Sequence, residues 1–205
     1  YFSMVKKTKV DTERKRNIII IGLSCFAVVL ILLFAVMSLT NQSERVKIET
    51  SHGNIIIELY PADSPTTVEN FLSYVDDGFY DDLVFHRVIP DFMIQGGGFD
   101  SSGAQKSTKA PIKLESNNGL KNTEYTIAMA RTNAMDSATS QFFINTKDNN
   151  FLDYTVSNPG YAVFGEVVSG KEVVDAIEQV KTGTTPNDMQ NWPVEEVSIY
   201  SIKRI

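Results

Sequence analysis

Apolar and polar residues alternate over Val46-Lys47-Ile48-Glu49-Thr50 and again, after the turn Ser51-His52-Gly53-Asn54, from Ile55 to Tyr60. A period of two sends successive side chains to opposite faces of a strand, so these runs predict a hairpin. The period then lengthens. Val68, Phe71, Leu72 and Val75 recur at helical spacing behind Ser64-Pro65, which predicts a helix with Ser64 as N-cap, Pro65 at the first helical position and Gly78 at its end. Short β-rich runs follow at 83–88, 92–95, 125–129, 141–145, 162–168 and 197–202, divided by Gly, Asn, Asp and Pro. A second amphipathic helix is predicted from Lys171 to Gln179, with Val173, Val174 and Ile177 on one side. Two helices among about eight strands, with little helical crossover between successive strands, predict a mainly β fold: an antiparallel barrel capped by helices.

Ahead of the hairpin the pattern is of another kind. Ile18 to Leu39 is a run of 22 uncharged residues rich in Ile, Leu, Val and Phe. As a helix it would match the ~30 Å hydrocarbon core of a bilayer. Lys6, Lys7, Lys9, Arg14, Lys15 and Arg16 precede it. Positive charge stays in the cytoplasm, so a single transmembrane helix over 18–39 would leave residues 1–17 cytoplasmic and the following domain outside. A cleaved signal peptide, with secretion, is the alternative. The apolar run exceeds the ~7–15 residues usual for such a peptide, and Val36-Met37-Ser38 is a poor cleavage site. A lipoprotein site at Cys25 fits badly because most of the apolar run follows it, and a buried soluble helix lacks the polar face it would need. Tyr1-Phe2-Ser3 reads as a leftover ahead of Met4. The chain thus divides into a basic N-terminus (1–17), an anchor (18–39), a polar linker (40–45) and one domain (46–205).

Charge changes the picture in one respect. The net charge of −6 combines +4 on residues 1–17 with −10 on the rest. An acidic domain without a basic stripe excludes nucleic-acid binding. One cysteine and two histidines, His52 and His86, give no cluster of metal-ligand spacing, and no metal or cofactor is expected. Neither histidine has a nucleophile or acid at triad spacing, and Gly96-Gly97-Gly98-Phe99 lacks the Gly-Lys-Ser/Thr of a phosphate loop.

The candidate chemistry lies between Phe85 and Gly98, where His86, Arg87, Asp91 and Gln95 interrupt an apolar stretch. Arg87 there is either a surface ion-pair partner or an aimed hydrogen-bond donor. Met93, Phe143 and Leu152 read as core side chains. On a strand over 141–145, Phe142 and Ile144 share one face and Gln141 and Phe143 the other, so one pair can fill a core and leave the second for a groove. Phe85 and Arg87 also share a face, and alternation alone does not say why one would be buried and the other active.

Phe85-His86-Arg87-Val88-Ile89-Pro90-Asp91-Phe92-Met93-Ile94-Gln95-Gly96-Gly97 resembles the signature of the cyclophilin family, and Ser140-Gln141-Phe142-Phe143-Ile144 resembles its second motif. Ile127 to Thr132, Asn150 to Asp153 and Tyr161 to Gly165 are similar to bacterial-type cyclophilins, in order, across residues 46–205. The resemblance implies an eight-stranded antiparallel barrel capped by two α-helices, and peptidyl-prolyl cis/trans isomerase activity on proline-containing polypeptides without a cofactor. It places the catalytic arginine at Arg87 and the glutamine that orients it at Gln95. It places a proline pocket at Phe92, Met93, Phe143 and Leu152, and main-chain contacts at Gln141 and the backbone of Ala130 and Arg131. The rim aromatic, tryptophan in many eukaryotic members, is Phe151, and the family's usual histidine is Tyr161. These two departures, with the shortened loop 99–109, imply weak or no cyclosporin binding. Rival functions are a non-catalytic proline-binding or chaperone module on the same fold and a structural part of an envelope complex.

Overall fold

In the computed structural model, which describes residues 44–185 and 188–205, the two alternating runs form the expected hairpin. Strand β1 (Arg45–Thr50) pairs antiparallel with β2 (Gly53–Leu59) in the register Ile48 opposite Ile55, and Val46, Ile48, Ile55, Ile57 and Leu59 all point into the core. The basic N-terminus, the apolar run 18–39 and most of the linker lie outside the described residues. Among the described residues no helix is long and apolar enough to cross a membrane.

The remaining strands are β3 (Leu83–Val84), β4 (Arg87–Ile89), β5 (Met93–Gly96), β6 (Thr126–Met129), β7 (Phe142–Asn145), β8 (Val163–Ser169), β9 (Thr182–Gly183), β10 (Trp192–Pro193) and β11 (Ser198–Arg204). Nine of the eleven strands form one sheet in the order β3-β11-β1-β2-β8-β6-β7-β5-β4, while β9 and β10 pair separately. The single strand expected over 83–88 is therefore two strands at opposite ends of the sheet. The chain changes partner between neighbouring residues: the Phe85 N–H donates to Val197 O at 2.9 Å and the His86 N–H to Gln95 O at 3.0 Å. The expected eight strands become nine by this break. Because only Phe85 and His86 separate β3 from β4, the sheet must curl until its two ends meet through the chain rather than through a ladder. Both ends are covered: Val84 donates to Phe99 O at 3.0 Å and Val88 to Asn191 O at 2.9 Å.

Helix α1 (Pro65–Asp76) buries Val68, Phe71, Leu72 and Val75 as their spacing predicts, and Pro65 opens it. Its cap is not the expected one. The Ser64 hydroxyl donates instead to Val163 O at 2.8 Å. The free N–H groups of Thr66 and Thr67 are taken by the Glu115 carboxylate at 3.1 and 2.8 Å, which also accepts from the Thr67 hydroxyl at 2.8 Å. An anion is a stronger acceptor than a hydroxyl and interacts favourably with the helix N-terminal dipole. Helix α2 (Lys171–Glu178) buries Val173, Val174 and Ile177. It follows Gly170, whose φ of 84° and approach of 2.2 Å between an added Cβ and Asn54 O admit only glycine.

Two apolar clusters fill the domain. The large one holds the inner faces of the sheet and both helices, with Phe71 packed on Tyr80, Phe142 and Phe164 at ring-centroid distances of 5.4, 5.8 and 5.2 Å. The small one consists of Met93, Ala128, Phe143, Leu152 and Val163, with Ile89, Phe92, Ala130 and Tyr161 packed against it. Strand β7 divides its side chains between them. Phe142 and Ile144 enter the large cluster and Phe143 the small one.

Candidate active site

Strands β4 and β5 pair with Arg87 opposite Gln95, and β5 and β7 pair with Gln95 opposite Phe143, so three adjacent strands bring an arginine, an amide and an aromatic ring side by side. The Arg87 Nη1 donates to Gln95 Oε1 at 3.4 Å and lies 3.9 Å from the Met93 sulfur. Its guanidinium stands 6.0 Å from the centre of the Phe92 ring. Gln95 in turn donates through Nε2 to Gln141 Oε1 at 2.9 Å. Burial lowers the Arg87 pKa, with Tyr161 opposing, yet an arginine stays charged in a protein. The result is a half-buried cation held from one side by an amide pair and left open on the other.

The break at Phe85-His86 explains how Phe85 can be core while Arg87 is not. Phe85 lies in the two-residue break and Arg87 opens β4, so the shared-face argument does not apply to them. Met93 and Phe143 are buried as their residue types suggest, but in the small cluster beside Arg87 rather than in the main core.

The other expected residues complete the outline. Leu152 sits on a short 3-10 turn, Asn150–Leu152, and enters the small cluster. Phe151 on the same turn is 65% exposed and stacks on Phe92 at 5.6 Å. Tyr161 meets Phe143 edge-on at 5.6 Å and carries the Arg131 guanidinium 4.6 Å above its ring. Arg131 also donates to Gly160 O at 3.0 Å, so its side chain holds the rim. The Ala130 N–H donates to Gln141 O at 2.9 Å, which ties the start of the following loop to the residue preceding β7. An open cavity of about 490 Å³ lies elsewhere, between residues 101–103 and the β9–β10 pair, and includes none of these residues.

Some residues around the site carry no signal in the sequence pattern. His86 packs at 4.7 Å on Phe99 and at 6.2 Å on Trp192, rings 13 and 106 positions away in the chain. Burial first, and then the Arg87 charge, push its imidazole down to about 4, while Val84 and Gln141 oppose this; the ring is neutral at pH 7 and its Nδ1 has no partner among the described residues. Behind the small cluster lie three buried amides, Asn122, Asn145 and Asn149, bonded to one another and to the backbone of the pocket. Among the described residues no group of three His, Cys, Asp or Glu side chains is placed to hold a metal.

This geometry coincides with a known family. The model of the family described as "Cyclophilin type peptidyl-prolyl cis-trans isomerase/CLD" matches residues 45–204. The peptidyl-prolyl cis-trans isomerase cyp18 of Streptomyces antibioticus is 58% identical over 161 residues, covering 77% of this chain and 96% of the relative. Peptidyl-prolyl cis-trans isomerase B of Escherichia coli is 52% identical over 160 residues, covering 77% of this chain and 97% of the relative. A crystal structure of a Cryptosporidium parvum cyclophilin type isomerase, obtained in the presence of the dipeptide Ala-Pro, superposes with a TM-score of 0.66 at 27% identity, covering 78% of this chain and 97% of that one.

Proposed function

The chain belongs to the cyclophilin-type peptidyl-prolyl cis-trans isomerase family and is an isomerase of Xaa-Pro bonds, and on that premise we propose that Arg87 stabilises the twisted amide while Phe92, Met93, Phe143 and Leu152 hold the proline ring. The substrates are proline-containing polypeptides. The observation that carries this reading is the position of the half-buried Arg87, tied to Gln95, at the edge of an apolar cluster separate from the core.

The planar prolyl amide resists rotation by ~18–20 kcal/mol because resonance is lost in the twist. At the top of that barrier the prolyl nitrogen is pyramidal and recovers a lone pair. A guanidinium beside it donates to that lone pair and to the prolyl carbonyl, an interaction absent from the planar ground state. Gln95 holds the guanidinium so that little reorganisation accompanies the twist. Gln141, Ala130 and Arg131 border the groove that takes the main chain, and Phe151 and Tyr161 form its rim. No covalent intermediate or proton transfer is required. Lowering the barrier by roughly 5–7 kcal/mol brings exchange into the millisecond range.

Arg87→Ala is expected to lower turnover of an Ala-Pro peptide at least tenfold in a protease-coupled assay, with an unchanged thermal midpoint. Equal activity would remove Arg87 from the mechanism.

The place of action is part of the same proposal. The uncharged run 18–39 behind six basic residues supports a membrane anchor that leaves the isomerase domain on the outer side, where it assists folding.

A further inference from the structure

The two walls of the pocket come from segments far apart in the chain. Phe92 and Met93 stand at the start of β5, and Phe151 and Leu152 on the 3-10 turn. Asn149, 2% exposed, lies at the junction. One of its amide hydrogens goes to Phe92 O at 2.7 Å and the other to Asn145 Oδ1 at 2.8 Å. Two oxygen acceptors on one side fix which end of this amide is nitrogen. Its backbone starts the opposite wall: Leu152 N–H donates to Asn149 O at 2.8 Å, and the Asn149 N–H donates to Asn122 O at 2.7 Å.

The amides behind it are equally committed. Asn145 donates to Thr126 Oγ1 at 2.9 Å, and Asn122 donates to Leu152 O at 3.1 Å. Asn122 and Asn145 have no exposure at all. Buried amides whose NH2 groups are all bonded fix position, because a displacement leaves an unpaired polar group. A pocket needing only apolar volume would be built more simply without them.

From this juxtaposition we infer that Asn149 is a positioning residue of the isomerase: it clasps the Phe92 wall to the Phe151–Leu152 wall and so sets the width of the proline pocket. The inference rests on the reading of that pocket given above. Phe92 O also accepts from the Thr146 N–H at 3.1 Å, so opening the clasp loosens the Phe92 wall rather than releasing it, and with it the ring against which Phe151 stacks. Arg87 is held by Gln95, on a different set of bonds, so the clasp acts on substrate binding rather than on the twisted state.

Steady-state kinetics on a proline peptide separate these roles. Asn149→Ala is expected to raise KM about fivefold, the effect of one hydrogen bond, with kcat within twofold. Asn149→Asp, the same shape with a carboxylate oxygen facing Phe92 O, is expected to be at least as impaired as alanine. Asn149→Thr, whose hydroxyl can donate to Phe92 O, is expected to recover most of the loss. If the alanine variant fails to fold, the threonine and aspartate pair carries the comparison alone. An unchanged KM in Asn149→Ala, an aspartate variant equal to the parent, or loss of the fold in all three would overturn the inference. Failure of Arg87→Ala to lower kcat sinks the reading of the site itself. Normal Asn149 variants beside an impaired Arg87→Ala sink only the clasp.

Discussion

Phe151 presents a bare aromatic face at the rim, 65% exposed and stacked on Phe92. A proline ring needs only that contact area, whereas cyclosporin, by the family resemblance, takes a hydrogen bond from an indole N–H at this position. Phe151→Trp is therefore expected to tighten cyclosporin severalfold to tens of fold, the effect of one hydrogen bond, with little change in peptide turnover. Titration of the drug in an isomerase assay decides it, and no gain in affinity would point to Tyr161 or the 99–109 loop. His86 makes a different prediction. Its imidazole is lowered from 6.5 to about 4, so between those values the unfolded chain binds a proton that the folded chain refuses. Stability accordingly falls as pH drops from 6.5 toward 4, by up to roughly 3 kcal/mol, and this loss is complete below both values. Urea midpoints across that range should show the slope, and His86→Phe should flatten it.

At the scale of elements, the cap of α1 belongs to a residue 48 positions away, and it titrates. Burial alone would raise the Glu115 pKa, but the hydrogen bonds from Thr67 and Thr66 together outweigh it and the net shift is downward from 4.5. A carboxylate with a lowered pKa stabilises the fold above its unfolded value and loses that contribution as pH falls through the folded one. Glu115→Ala should cost about 1 kcal/mol at pH 7, and a thermal melt should show the difference from the parent shrinking below about pH 4.5. The sequence pattern predicted this helix, its apolar face and its proline, since spacing records which residues face the core. It assigned the cap to Ser64 because a local signal cannot register a partner brought in by the tertiary fold. The strand expected over 83–88 failed for a related reason. Nothing in Leu-Val-Phe-His-Arg-Val marks the exchange of one neighbouring strand for another. Family motifs supplied Arg87, Gln95 and the pocket side chains. The buried asparagines and the packing of Trp192 on His86 stayed hidden because amides and rings at such separations leave no periodic trace.

For the whole molecule, the N-terminal run gives the broadest test. If the 22 uncharged residues of 18–39 form the proposed anchor helix, hydrocarbon rather than surface charge would hold it, and the full chain should stay in the membrane fraction through carbonate or high-salt washing. Release of a soluble form beginning near Leu39 would support signal cleavage instead. The curled sheet carries a consequence of its own. An isomerase whose proposed substrates are unfolded chains would meet more unpaired strands than most proteins do, and each would be a chance for its own sheet to be extended by a client. Here the outer edge of β3 is occupied by Phe99 and that of β4 by Asn191. With each end strand already holding a backbone hydrogen bond on its outer side, this sheet is a poorer template for edge-to-edge association.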